Sequence, residues 1–97
     1  MTPVELTLDA RPRLTARARL QYDSVRDQQV LLMPEGLLVL NPTAAAIVSL
    51  CDGRRTVADI AADLGEQYQR SVERDVLSLL NRLLGKRLVE ASVENDR

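Results

Sequence analysis

A chain of 97 residues that is 45% hydrophobic, with a formal net charge of -1, is long enough for one globular core and too short for two, and it projects no whole-molecule field toward nucleic acid or an anionic membrane. Histidine is absent and Cys51 is the single cysteine, which excludes intrachain disulfides, thiolate zinc clusters and imidazole-based catalysis. Aromatic residues make up 2% of the chain, so Leu, Val, Ile and Ala must supply the core, and no run approaches the ~20 apolar residues of a membrane span.

Residues 1–13 mix polar residues with Pro3 and Pro12 and hold no sustained period, so they predict a flexible N-terminal arm that orders only if it docks. The start, Met1 to Asp9, lacks a basic segment followed by an apolar stretch, and a cytoplasmic location is the resulting expectation. From Ala18 the sequence alternates: Ala18, Leu20 and Tyr22 point one way and Arg17, Arg19 and Gln21 the other, as a half-buried strand requires. Asp23 to Asp27 supplies turn chemistry, Val30 to Met33 a second strand, Pro34-Glu35-Gly36 a second turn, and Leu37 to Leu40 a third strand.

Asn41-Pro42 changes the regime, since asparagine is a good N-cap and proline is tolerated in the first helical turn. A helix is predicted through Ala44, Ala45, Ala46, Ile47 and Val48, ending near Asp52-Gly53. Thr56 with Asp59 forms a capping box for a second helix whose apolar face is Val57, Ile60, Ala61 and Leu64, with Gly65 weakening its last turn. Ser71 is the expected cap of a third helix. It carries Glu73 and Asp75 at its positive end and Lys86 and Arg87 at its negative end. Together these elements predict an α+β domain over residues 14–89, a three-stranded antiparallel sheet followed by three helices, winged helix-turn-helix-like, with a frayed tail over 90–97.

The functional signal is a surplus of apolar surface. In the second and third strands Val30 and Leu32 oppose Leu31 and Met33, and Leu37 and Val39 oppose Leu38 and Leu40. Three helices cover one face of such a sheet, so the other needs the arm, a second copy or a partner. An open strand edge with apolar flanks also suits a guest peptide, whose backbone ladder supplies affinity and whose side chains supply choice. On the third helix Val72, Val76, Leu79, Leu80 and Leu83 form the core stripe, while Leu77 and Leu84 widen the apolar arc toward Asn81 and Arg74. Against a nucleic-acid reading, Arg70, Arg74 and Arg82 are interleaved with Glu73 and Asp75. No glycine-rich phosphate loop, nucleophile triad or metal-ligand cluster is present in the sequence, so neither an active site nor a cofactor is expected.

Four stretches in order resemble the PqqD family of pyrroloquinoline quinone (PQQ) biosynthesis: Arg11-Pro12-Arg13-Leu14, Val30 to Glu35, Leu40 to Ile47, and Leu50 to Val57, within residues 11–89. The resemblance implies a peptide chaperone, itself without chemistry, that binds the ribosomally made precursor PqqA and presents it to PqqE, a radical S-adenosylmethionine enzyme. It further implies a recognition element for ribosomally made, modified peptides, in which the leader pairs with the third strand and lies against the third helix. Carried over by position, the peptide would meet Leu37, Leu38, Val39 and Leu40, with Arg74, Leu77, Leu80, Asn81 and Leu84 as the other wall. Gln29 departs from the family, many of whose members carry an aromatic there. A winged-helix DNA-binding protein and a structural dimerisation module are the competing readings, and a monomer or a homodimer is expected.

Overall fold

Alternation and turn chemistry place the central sheet where the sequence predicts it, and a second pair of strands forms outside it. The computed structural model describes residues 5–93. Within them run β1 (Ala10–Leu14), β2 (Arg19–Asp23), β3 (Gln28–Met33), β4 (Gly36–Leu40), α1 (Pro42–Ser49), α2 (Val57–Tyr68), α3 (Glu73–Gly85) and β5 (Val89–Val93). β2, β3 and β4 form an antiparallel meander, whereas β1 and β5 form a separate two-stranded sheet. The α+β class holds, but the strands are divided between two sheets and one of them follows the helices.

That division corrects the expected ends. The loose arm and the frayed tail are each other's partners, with Ala10 opposite Val93 and Leu14 opposite Val89. Each alone has too little apolar surface to order, and docking supplies it. Leu6, Ala10 and Pro12 are buried, the Ala58 amide donates to the Leu8 carbonyl at 2.9 Å, and the Gly53 amide donates to the Pro12 carbonyl at 2.9 Å. Residues 1–4 and 94–97 lie outside the described residues.

The register of the meander sorts its faces. Leu20, Leu31 and Leu38 stand side by side, as do Tyr22, Gln29 and Leu40, and directly opposed residues share a face. Leu20, Leu31, Leu38 and Leu40 join the core with Ile47 and Val48 of α1, Val57, Ile60 and Leu64 of α2, and Val76, Leu80 and Leu83 of α3. The expected α3 stripe of Val72, Val76, Leu79, Leu80 and Leu83 is buried throughout.

Helix ends follow local chemistry, with three departures. Asn41 caps α1 as predicted, accepting from the Ala44 amide at 2.8 Å, but α1 stops at Ser49 rather than near Gly53. Gly53 instead sits in the following loop at φ +81, where an added Cβ would lie 3.3 Å from the Arg13 side chain. Gly65 does not shorten α2, which continues to Tyr68 before Gln69 turns left-handed at φ 59. The Arg70 carbonyl packs over Gly65, and a Cβ there would approach it to 3.1 Å. Ser71 does not cap α3; Val72 occupies the N-cap position without a side-chain bond, and the acidic Glu73 and Asp75 are left to offset the helix's positive end.

The capping box of α2 is complete. The Thr56 hydroxyl accepts from the Asp59 amide at 3.0 Å, and the Asp59 carboxylate accepts from the Thr56 amide at 3.0 Å. Replacing Thr56 with alanine is expected to cost ~1 kcal/mol in urea unfolding. Thr56's amide, then its hydroxyl, hold the Asp59 carboxyl below its ordinary value of 3.8, and the Arg55 and Arg54 amides do the same for Asp52. A carboxyl lowered in the folded state contributes stability above its unfolded value and loses it as pH falls through the folded one. Denaturation midpoints are therefore expected to hold between pH 5 and 7 and to decline below about pH 4, with a smaller decline in Asp59→Asn.

Candidate functional site

β4 is an edge strand, hydrogen-bonded to β3 alone in the described sheet. Native edges are usually blunted by charge, proline or a bulge. β2, the opposite edge, carries Arg19 and Asp23. β4 reads Gly-Leu-Leu-Val-Leu and has none of these protections. Its outward residues are apolar and open: Leu37 is 42% exposed and Val39 40% exposed. Behind them on the same face stand Leu32, opposite Leu37, and Val30, opposite Val39. Val30 is closed to solvent yet lies apart from the main core. The described part of the arm, residues 5–13, makes its contacts with α2, α3, β5 and the loop after α1 rather than with this face.

The other residues singled out from the sequence fall into different places. Leu38 is half-buried and Leu40 is buried, both packed into the core from β4's inner face. Leu80 is fully buried, so it braces α3 from within rather than lining a wall. Leu77 and Leu84 are half-buried against the core and Arg74 is exposed. Asn81 is engaged by the protein's own N-terminal segment: its side-chain oxygen accepts from the Leu6 amide at 2.7 Å.

At about 100° per residue, Leu77, Asn81 and Leu84 project to one side of the buried stripe of α3, and Ser78 and Arg82 to the other. On that second side a cleft of about 330 Å³ opens between α3 and the start of α1, with Asn41, Ala44 and Ile47 facing Ser78, Leu79 and Arg82. It begins at the residue that follows β4. Sequence reading missed this side of α3 because it sought surplus leucines, whereas the cleft is framed by small and polar residues. The usable clue was Asn41, whose position ties the end of β4 to the start of α1.

A depression of about 470 Å³ between β1, β5 and the loop at Asp52 is crossed by the Arg13–Glu90 ion pair at 2.6 Å. Among the described residues no group of three or more His, Cys, Asp or Glu side chains is placed to hold a metal ion, and no helix is long and apolar enough to cross a membrane. Cys51 is buried, its thiol donating to the Ile47 carbonyl at 3.3 Å. Desolvation, with a smaller contribution from the nearby Asp52 charge, pushes that thiol up to about 12. Iodoacetamide at pH 8 is accordingly expected to leave Cys51 unmodified in the folded protein and to alkylate it readily in 8 M urea.

Comparison with known proteins adds to this geometry. The family model described as coenzyme PQQ synthesis protein D (PqqD) matches residues 28–89. A "PqqA binding protein" of Xanthomonas oryzae pv. oryzae is 40% identical over 87 residues, which cover 87% of this chain and 95% of that protein. The "bifunctional coenzyme PQQ synthesis protein C/D" of Methylorubrum extorquens is 43% identical over 82 residues, 81% of this chain and 22% of that longer protein. The chain thus spans about a fifth of that relative and nearly the whole of the Xanthomonas one. Among solved structures, the solution structure of the PqqD truncation of Methylobacterium extorquens PqqCD, described as a functional and stand-alone recognition element for ribosomally synthesized and post-translationally modified peptides, superposes with a TM-score of 0.77. It is 40% identical, and the match covers 93% of this chain and 99% of that one.

Proposed function

Because the chain belongs to the PqqD family of coenzyme PQQ synthesis proteins, we propose that it is a non-catalytic peptide chaperone that binds the precursor peptide PqqA and presents it to the radical S-adenosylmethionine enzyme PqqE. The observation that carries this reading is the unblunted edge of β4, with Leu37 and Val39 open beside it. An extended leader adds there as a further strand, its backbone completing the ladder and alternate side chains covering Leu37 and Val39. α3 forms the far wall. Of the residues expected there, Leu40 and Leu80 support the groove from the core, and Arg74, Leu77, Asn81 and Leu84 stand on the side that already holds the N-terminal segment.

Titration of isotope-labelled protein with PqqA tests the proposal. Amide resonances of residues 36–41 and of α3 are expected to shift most; shifts confined to β1 and β5, or none, would reject it. Addition of PqqE to the complex is expected to form a ternary species in sedimentation.

Three antiparallel strands and three helices also support kinship with winged helix-turn-helix domains, whose usual partner is duplex DNA. The charge of α3 argues against that use, since Asp75 already engages Arg70 at 3.4 Å at the end that would approach phosphates. No salt-dependent mobility shift on duplex DNA is therefore expected. A second copy is the other candidate cover for the Leu37–Val39 face, and a dimer that PqqA does not dissociate would favour it over the peptide.

A further inference from the structure

We propose that Arg82 is a specificity-determining anchor, pairing with a carboxylate side chain of the bound peptide just beyond the stretch that adds to β4. The inference rests on the peptide-binding reading above and adds to it a chemical requirement on the guest.

The cleft between α1 and α3 lies next to the end of β4, because Asn41, the first residue after β4, forms part of its wall. A strand laid along Gly36–Leu40 runs its end over this opening. At about 330 Å³ the cleft lies at the small end of the range for ligand sites, roughly 300–1,000 Å³. That size suits one or two side chains. Its lining is mainly polar, with the buried side chains of Ile47 and Leu79 forming the apolar base beneath.

The rim decides the charge. Of the three charged residues around the cleft, Arg70 and Asp75 pair with each other at 3.4 Å. Among the described residues Arg82 has no ion pair or side-chain hydrogen bond, although it borders the same opening. The paired two cancel, and one guanidinium remains to face whatever enters. A guanidinium fork above an apolar base is matched by a carboxylate on a short aliphatic stem, as in glutamate or aspartate. The competing explanation is that Arg82 only complements the negative end of α3, in whose last turn it lies. That role concerns stability and requires nothing of a peptide.

The two are separated by a cycle of substitutions read in the full chain with PqqA as the probe. Arg82→Ala is expected to weaken PqqA binding about tenfold with the thermal transition nearly unchanged, and Arg82→Lys to recover part of the loss. Each acidic residue of PqqA is then replaced in turn by its amide. One of these peptides is expected to bind the unsubstituted protein about tenfold more weakly and to lose nothing further against Arg82→Ala. If Arg82→Ala binds PqqA within about twofold of the parent, or if no amide substitution couples to it, the anchor is wrong while strand addition on β4 stands. If the unsubstituted protein does not bind PqqA at all, both readings fall together.

Discussion

Replacing Leu37 and Val39 together by arginine is expected to weaken PqqA binding by about a hundredfold while leaving the free protein folded. Both residues are already about two-fifths exposed, 42% and 40%, and neither belongs to the main core cluster. Covering that remaining apolar surface by a guest is worth about 1 kcal/mol per residue. Placing a charge where the guest must desolvate it adds a penalty of similar or larger size. A total near 2.7 kcal/mol corresponds to two factors of ten in affinity. Calorimetric titration measures the loss, and an unchanged circular dichroism melt confirms that the surface was altered rather than the core. Binding within a few-fold of the parent would remove β4 from the interface.

Leu80→Ala has the opposite signature. Leu80 is fully buried, among the largest side chains in the core, and removing it leaves a cavity between α3 and the elements packed around it. The expected destabilisation is ~2–5 kcal/mol, a large part of the roughly 5–15 kcal/mol that holds a domain of this kind together. Urea unfolding followed by circular dichroism reads it directly. PqqA affinity, corrected for the folded fraction, is expected to stay within a few-fold of the parent. A specific loss of affinity in a fully folded Leu80→Ala protein would instead mean that the peptide reaches the inner side of α3. The pair of experiments thus divides the residues first grouped as one site into those a guest touches and those that support them.

The sequence by itself determined the meander and the helices. Strict alternation from Ala18 to Tyr22, turn residues at 23–27 and 34–36, and the caps at Asn41 and Thr56 are local signals, and local signals survive in any tertiary context that does not oppose them. It also determined that strands β3 and β4 are apolar on both faces, because a period of two assigns each side chain a face before any neighbour is known. Membership of the PqqD family was legible in the same stretches.

Tertiary structure alone decided what those faces meet. β1 and β5 are separated by most of the chain, and neither has an internal pattern that names its partner; their pairing arises when the helices bring Leu14 opposite Val89. The same docking sends Leu6 to Asn81 rather than across the sheet, and among the described residues the outer side chains of β4, Leu37 and Val39, stay exposed. It also assigns the Leu77 side of α3 to the N-terminal segment and the Arg82 side to the cleft beside β4. A helical wheel gives the angle between those two sides. Only packing says which neighbour each one faces.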